Sequence, residues 1–129
     1  MIKINIKTRS KSEVIDITEM IQSAISRFNK SEGIVLVYVP HTTAGITINE
    51  NYDPSVREDI MDFLNKLVPK DGKYKHLEGN ADAHIKSSLI GNSVVIILEN
   101  GKLKLGRWQG ILFFEFDGPR EREVWIKVI

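Results

Sequence analysis

Strand patterns separated by turn signals in the C-terminal part of the chain constrain its fold most strongly. The patterns are Val94–Leu98, Lys102–Leu105, Gly110–Phe116 and Glu123–Val128. Asn100-Gly101 lies between the first two and is the dipeptide most typical of a two-residue hairpin turn. Asp117-Gly118-Pro119 predicts a turn between the last two. Four strands joined by short connections therefore end the chain.

The N-terminal part predicts strands around a helix. Isoleucine alternates with polar residues over Ile2–Ile6, the period of a half-buried strand. Asp16 and Glu19 have the spacing of a capping box and predict a helix whose apolar stripe extends to Phe28. The β-branched run Ile34–Val39 predicts a strand that is covered on both faces.

The middle of the chain predicts a further strand and two helices. Ala44–Ile48 is the strand pattern. Asp53 followed by Pro54 begins a helix, and Pro69 closes it. A third, shorter helix is capped by Asn80 or Asp82, extends to about Ile90 and stops at Gly91. The pattern predicts one compact α+β domain over residues 1–129, with a mixed or antiparallel sheet, two long helices and one short helix.

Composition excludes several classes of partner. The chain has 129 residues, of which 18 are Lys or Arg and 17 are Asp or Glu. This net charge of +1 gives no reason to expect nucleic acid or a membrane surface as partner. Without cysteine there are no disulfides and no thiolate ligands. No signal peptide or membrane-length apolar run is present, so a cytoplasmic location is expected.

The three histidines are candidate metal ligands. His41 follows a predicted buried strand, whereas His76 and His84 bracket the start of the third helix. Three imidazoles with one open position are a standard ligand set for catalytic zinc, so a divalent metal, zinc, is the expected cofactor. Glu78, Asn80 and Asp82 could accept hydrogen bonds from the rings. The alternative is that the histidines simply face solvent.

Several polar residues near the histidines have two interpretations each. Thr42 and Thr43 either donate to an anionic substrate or satisfy a bend between strands, the favoured alternative. Asn49 and Glu50 end a strand, where Glu50 is either a general base or part of a solvated turn. The helix start at Asn80 presents free N–H groups that favour a phosphate or carboxylate, unless it is ordinarily capped.

Two further segments contain candidate binding residues. Trp108 and Gln109 lie between two glycines, where they either line a pocket or belong to a β-bulge with Trp108 in the core. Arg120 and Arg122 could bind a phosphate, but alternation in the last strand favours a solvated face.

Five blocks of sequence together resemble the YjbQ-like family, whose members are often labelled secondary thiamine-phosphate synthase enzymes. The blocks are His41-Thr42-Thr43-Ala44, Ile48-Asn49-Glu50-Asn51, Asp53-Pro54, Gly79-Asn80-Ala81-Asp82-Ala83-His84-Ile85-Lys86 and Gly106-Arg107-Trp108-Gln109-Gly110-Ile111. The resemblance implies an α+β domain that assembles as a homotrimer, with a polar pocket near the subunit boundaries. It also implies that His41, His76 and His84 bind a metal there, with Glu50, Asn80, Asp82 and Gln109 as further polar positions.

Three functions are consistent with these observations. The first is a thiamine-phosphate synthase type of reaction, joining a pyrimidine-methyl pyrophosphate to a thiazole phosphate, with Lys86 stabilising charge and Trp108 stacking on a ring. The second is zinc-dependent hydrolysis of a small phosphorylated or acyl substrate, with Glu50 or Asp82 as proton acceptor. The third is a non-catalytic trimer that binds a metal or a small anion. The expected partner is a small, anionic molecule.

Overall fold

The computed structural model describes all 129 residues, which form three helices and eight strands joined by turns and loops. The strands are β1 (Ile2–Lys7), β2 (Glu13–Asp16), β3 (Gly33–Tyr38), β4 (Ala44–Glu50), β5 (Ser93–Glu99), β6 (Lys102–Lys104), β7 (Gln109–Glu115) and β8 (Glu121–Val128). The helices are α1 (Thr18–Ile25), α2 (Pro54–Leu67) and α3 (Ala81–Ile90). None of these helices is both long and apolar enough to cross a membrane.

The strands form two antiparallel sheets, which confirms the predicted α+β class. The larger sheet has the order β1-β8-β3-β5-β6, and the smaller has the order β2-β7-β4. The predicted hairpin joins β5 to β6, and Asn100 and Gly101 both have positive φ, as a type I′ turn requires.

Two apolar cores divide the molecule into layers. The larger core lies between the two sheets and includes one face of α1, with Ile21, Val37 and Phe113 fully buried. The smaller core lies on the other side of β7, where Phe114 packs with Leu64 of α2. Strand β7 is therefore buried on both faces, and α2 and α3 cover the smaller sheet.

The outer face of the larger sheet is apolar and uncovered in the single chain. The expectation that Ile34–Val39 is covered on both faces is wrong for the isolated chain, because only Val35, Val37 and Val39 reach the core. Ile34 is 45% exposed, and its neighbour across the β3–β5 pair, Ile97, is 60% exposed. The residues of both faces are apolar, which is why the sequence pattern predicted cover on both sides.

The start of α1 differs from the sequence prediction. Asp16 does not cap the helix, because it still belongs to β2 and pairs with Leu112 of β7. Its carboxylate accepts hydrogen bonds from the Thr18 amide (3.0 Å) and hydroxyl (2.6 Å), and α1 ends at Ile25, short of Phe28. By contrast, Asp53 caps α2 as predicted and accepts from the Ser55 amide at 2.9 Å.

A buried ion pair joins the two sheets. Glu115 at the end of β7 is fully enclosed, and Arg122 of β8 is 3% exposed and donates to both of its carboxylate oxygens. Arg122 also donates to the Thr43 hydroxyl at 2.9 Å, and the Thr8 hydroxyl donates to Glu115 at 2.7 Å. The predicted solvated face is wrong for Arg122, because Glu115 on the other sheet supplies its charge partner. Arg120 is exposed and pairs with Asp117 at 2.9 Å.

Removal of one charge from this pair should be strongly destabilising. The Glu115→Gln variant leaves the Arg122 guanidinium buried without its counterion, so we expect the free energy of unfolding in urea to fall by about 3–5 kcal/mol. Glu99→Gln is the matched control, because Glu99 forms an exposed pair with Lys104 at 3.3 Å and should change stability by less than about 1 kcal/mol. Equal losses in the two variants would contradict the structural role given to Glu115.

Candidate functional site

A polar cleft lies between the segment before β4 and the exposed side of α3. It has a volume of about 440 Å³, and no apolar residue lines it. Its lining residues are His41, Thr42, His84, Ser87, Ser88, Gly91 and Asn92. Two of the three predicted metal ligands therefore share one cleft.

Hydrogen bonds to β4 hold α3 in this position. The Ser87 hydroxyl donates to the Ala44 carbonyl at 2.7 Å, and the Ile46 amide donates to the Gly91 carbonyl at 3.0 Å. Gly91 ends the helix with φ of 99°, a conformation that favours glycine. These contacts set the distance between the two walls of the cleft.

His76 and His84 pack against each other next to the cleft. Their ring centroids are 5.1 Å apart and the ring planes are inclined by 75°. His76 belongs to the loop before α3, and its Nε2 lies 3.9 Å from a Glu78 carboxylate oxygen. The pair also lines a neighbouring pocket with the basic residues Lys73 and Lys75.

The three histidines do not form a complete metal site within one chain. No group of three or more His, Asp or Glu residues is arranged to hold a metal ion. His41 lies across the cleft from His84, and its Nε2 accepts a hydrogen bond from the Glu123 amide at 2.9 Å. Burial lowers the pKa of His41, and the positive charge of Arg122 lowers it further, so its ring is neutral at neutral pH.

Asp82 and Lys86 lie inside the molecule and not in the cleft. Both are essentially fully enclosed, and their charged groups are 3.0 Å apart. Lys86 also donates to Asn65 of α2 at 2.8 Å, and Lys11 approaches Asp82 at 3.4 Å. The predicted roles as proton acceptor and substrate cation would require groups that the substrate can reach. In this structure the pair instead joins α3 to α2.

Asn80 precedes α3 without capping it. Its side-chain amide donates to Asp117 at 2.9 Å, and no side-chain hydrogen bond closes the first turn of the helix. Its Oδ1 and the Oδ1 of Asp82 are buried and have no hydrogen-bond donor. Asn80 therefore connects the start of α3 to the turn before β8.

The second group of predicted site residues lies at the far end of β4. Glu50 is the last residue of that strand, which runs about 20 Å from Ala44 at roughly 3.3 Å per residue. Glu50 lines a separate pocket with Trp108, whose ring packs edge to face on Tyr52 with a centroid distance of 5.3 Å. Trp108 is 47% exposed and does not fill the core. Within one chain, these residues do not approach the histidines.

The remaining predicted binding residues lie either near the histidine cleft or at the far end of the smaller sheet. Thr42 is exposed in the cleft, whereas Thr43 is buried against Arg122. Asn49 accepts from the Glu50 amide at 2.7 Å, and Gln109 accepts from the Gly106 amide at 2.8 Å, both at the far end of the smaller sheet.

The sequence predictions did not include every residue that lines the cleft. Ser87 and Ser88 could have been found, because they lie three and four residues after His84 and therefore on its side of the helix. Asn92 could not have been found in this way, since only the tertiary fold brings it to the cleft. The same holds for the contact of the Glu123 amide with His41.

The structure thus defines an α+β domain with two antiparallel sheets and a histidine-lined cleft beside its third helix. The family described as UPF0047 protein YjbQ-like matches residues 2–129, and the chain belongs to this family. A UPF0047 protein of Methanocaldococcus jannaschii is 59% identical, with 100% of this chain and 94% of that protein aligned.

A second relative and a solved structure agree with this assignment. The UPF0047 protein YugU of Bacillus subtilis is 47% identical over 98% of this chain and 96% of its own length. A crystal structure of a YjbQ/UPF0047 family protein from Clostridium acetobutylicum superposes with a TM-score of 0.97 at 56% identity, and the alignment covers 100% of both chains. These similarities establish the family and the fold.

The buried carboxylate of Asp82 should make stability depend on acid pH. Burial alone would raise the pKa of Asp82, but the hydrogen bond from Lys86 and the charge of Lys11 outweigh it and hold the pKa below its usual value. The stabilising contribution is therefore complete above the unfolded pKa of about 3.9 and is lost as the pH falls through the folded pKa.

We expect Asp82→Asn to lose less stability than the wild type between pH 5 and pH 2, measured by urea unfolding at several pH values. Asp62→Asn is the control, because Asp62 is exposed on α2 and forms no ion pair in the structure. If the wild type and Asp82→Asn lose stability in parallel, the proposed linkage is wrong.

Proposed function

We propose that the histidine cleft acts on a small phosphorylated substrate with a divalent metal, zinc, bound by His76 and His84. The observation that carries this proposal is the contact between these two rings at the edge of the cleft. Two imidazoles that share a tetrahedral zinc have ring centroids roughly 5 Å apart, as follows from Zn–N bonds of about 2.1 Å. The centroid distance of 5.1 Å fits that requirement.

The surroundings of the pair also suit a metal. Glu78 lies near Nε2 of His76, and a carboxylate in this place orients a ligating imidazole and raises its basicity. The complete three-histidine set does not fit within one chain, because the Nε2 of His41 already accepts a hydrogen bond. Two protein ligands leave coordination positions open to substrate oxygens. When bound, zinc supplies Lewis-acid polarisation of a phosphoryl or acyl oxygen.

Charges around the pair favour an anionic substrate. Lys73 and Lys75 line the pocket that His76 and His84 share, and the adjoining cleft has no carboxylate among its lining residues. The two lysines would therefore attract a phosphate group toward the histidines. The substrate class most consistent with this arrangement is a small phosphate ester, and hydrolysis is the reaction that requires no second organic substrate.

A synthase reaction of the thiamine-phosphate type is the second candidate function, and one feature of the structure supports it. Trp108 and Tyr52 are exposed aromatic rings on which a heterocycle could stack. Because they lie at the far end of β4, a joining reaction would need the aromatic pair of one subunit beside the histidines of another. Product formation well above one turnover per site, abolished by Trp108→Ala, would support it.

We also propose that the chain forms a homotrimer through the outer face of the larger sheet. Ile34, Val95 and Ile97 expose contiguous apolar surface on β3 and β5, where a second copy would bury it. Ile97→Glu should convert the assembly to monomers in size-exclusion chromatography with light scattering. Lys66→Glu should leave the oligomer intact, because Lys66 is exposed on α2, which covers the smaller sheet and lies away from this face. Unchanged mass in the Ile97→Glu variant would exclude this face.

Zinc binding tests the role of the histidine pair directly. We expect about one zinc per chain by elemental analysis of protein prepared without a histidine tag, and a loss of affinity of more than about 100-fold in His84→Ala. Glu78→Gln should weaken binding by about 10-fold to 100-fold, the usual effect of removing a group that orients a ligand.

Ser88→Ala is the matched control for the zinc measurement. Ser88 lines the same cleft on the same helix, but its hydroxyl donates to the His84 carbonyl at 2.9 Å and carries no ligand role. Its zinc affinity should equal that of the wild type. A zinc content near zero in the wild type, or full binding by His84→Ala, would refute the proposed metal site.

A further inference from the structure

A backbone contact determines which nitrogen of His41 carries the proton. The Glu123 amide donates to Nε2 of His41 at 2.9 Å. An amide N–H can only donate, so Nε2 must present its lone pair and the proton of the neutral ring lies on Nδ1. The ring is therefore held in the Nδ1–H tautomer.

The buried ion pair keeps this contact in place. Glu123 directly follows Arg122, and Arg122 donates both to Glu115 and to the Thr43 hydroxyl. The donor and the acceptor of the His41 contact thus belong to two segments that Arg122 joins. Burial of the ring and the charge of Arg122 lower its pKa, so the same tautomer persists across neutral pH.

The Nδ1–H of His41 is free and accessible from the cleft. His41 lines the cleft, Nδ1 makes no hydrogen bond within the chain, and it is not among the buried polar atoms that lack a partner. Thr42 and Asn92 are exposed residues that line the same cleft, and neither side chain forms a hydrogen bond within the chain. Three side chains with neutral donor groups therefore line a cleft that contains no carboxylate.

We infer that His41 is a hydrogen-bond donor to a phosphate or similar oxyanion in the cleft, with Thr42 and Asn92, and is neither a metal ligand nor a general base. Ligation through Nδ1 would place the proton on Nε2, opposite the Glu123 amide, so that two donors would face each other. This inference rests on the proposed function for the identity of the anion, and it divides the three histidines into two ligands and one donor.

Two substitutions separate the donor role from a ligand role. His41→Asn keeps an N–H donor close to the position of Nδ1, whereas His41→Gln keeps an acceptor close to the position of Nε2 and loses that donor. Inorganic phosphate is the probe, titrated by calorimetry into zinc-free protein, and zinc affinity is measured separately. We expect His41→Asn to bind phosphate within about threefold of wild type and His41→Gln to bind it about 10-fold more weakly.

Thr42→Val is a second variant that leaves the contact between His41 and Glu123 intact. It should also weaken phosphate binding, by about threefold to 10-fold, with an unchanged thermal midpoint. Zinc affinity should stay unchanged in all three variants. Loss of zinc affinity in both His41 variants would show that His41 is a ligand and would overturn the inference.

The donor role of His41 and the proposed zinc site can be refuted independently of each other. Wild-type affinity for phosphate in His41→Gln, or no phosphate binding by the wild type, would overturn the donor role. Absence of zinc from a wild-type protein that binds phosphate as expected would refute the proposed metal function and leave the donor role standing.

Discussion

The buried ion pair between Glu115 and Arg122 connects the two sheets and holds the segments that form one wall of the cleft. It joins the end of β7 in the smaller sheet to β8 in the larger one. Taking two charges out of water costs several kcal/mol per ion, and their mutual attraction and further hydrogen bonds must offset that cost. Here the Thr8 hydroxyl and the Asp117 amide satisfy the carboxylate, while Thr43 accepts from the guanidinium. The pair therefore fixes how the two sheets meet.

The position of the cleft follows from the same network. Thr43 connects Arg122 to the segment that contains His41, and Glu123 connects β8 to the ring of His41 itself. The opposite wall is set by the bonds between α3 and β4, which place His84 across the cleft. One wall thus has a donor of fixed tautomer, and the other has His84, whose ring packs on His76 beside the cleft. A neutral donor opposite the proposed metal ligands is suited to holding a phosphate group.

Much of the fold was predictable because its signals are local. Asn100-Gly101 specifies the β5–β6 turn, Asp53-Pro54 begins α2, and Gly91 ends α3. The start of α1 was not predictable from its capping pattern, because pairing of β2 with β7 extends the strand to Asp16. Asp16 therefore belongs to a strand and does not cap the helix, because strand pairing with β7 is a tertiary contact that the local sequence does not encode.

The candidate site was predictable only in part. Proximity in sequence correctly brought His76 and His84 together, but it also assigned Asp82 and Lys86 to the site. Their i, i+4 spacing places both on one side of α3, and His84, two residues after Asp82, lies on another side. The helical periodicity alone could have separated these roles. No local sequence pattern predicts the burial of Arg122, because its partner Glu115 lies on the other sheet.

The division of the histidines into a ligand pair and a fixed donor is tested most directly by long-range ¹H–¹⁵N NMR spectra of the three imidazoles during a zinc titration. We expect His41 to show the Nδ1–H tautomer at neutral pH and to keep it when zinc is added, while ring nitrogens of His76 and His84 shift to metal-bound values. A metal-bound shift at His41, or the Nε2–H tautomer in the zinc-free protein, would contradict it.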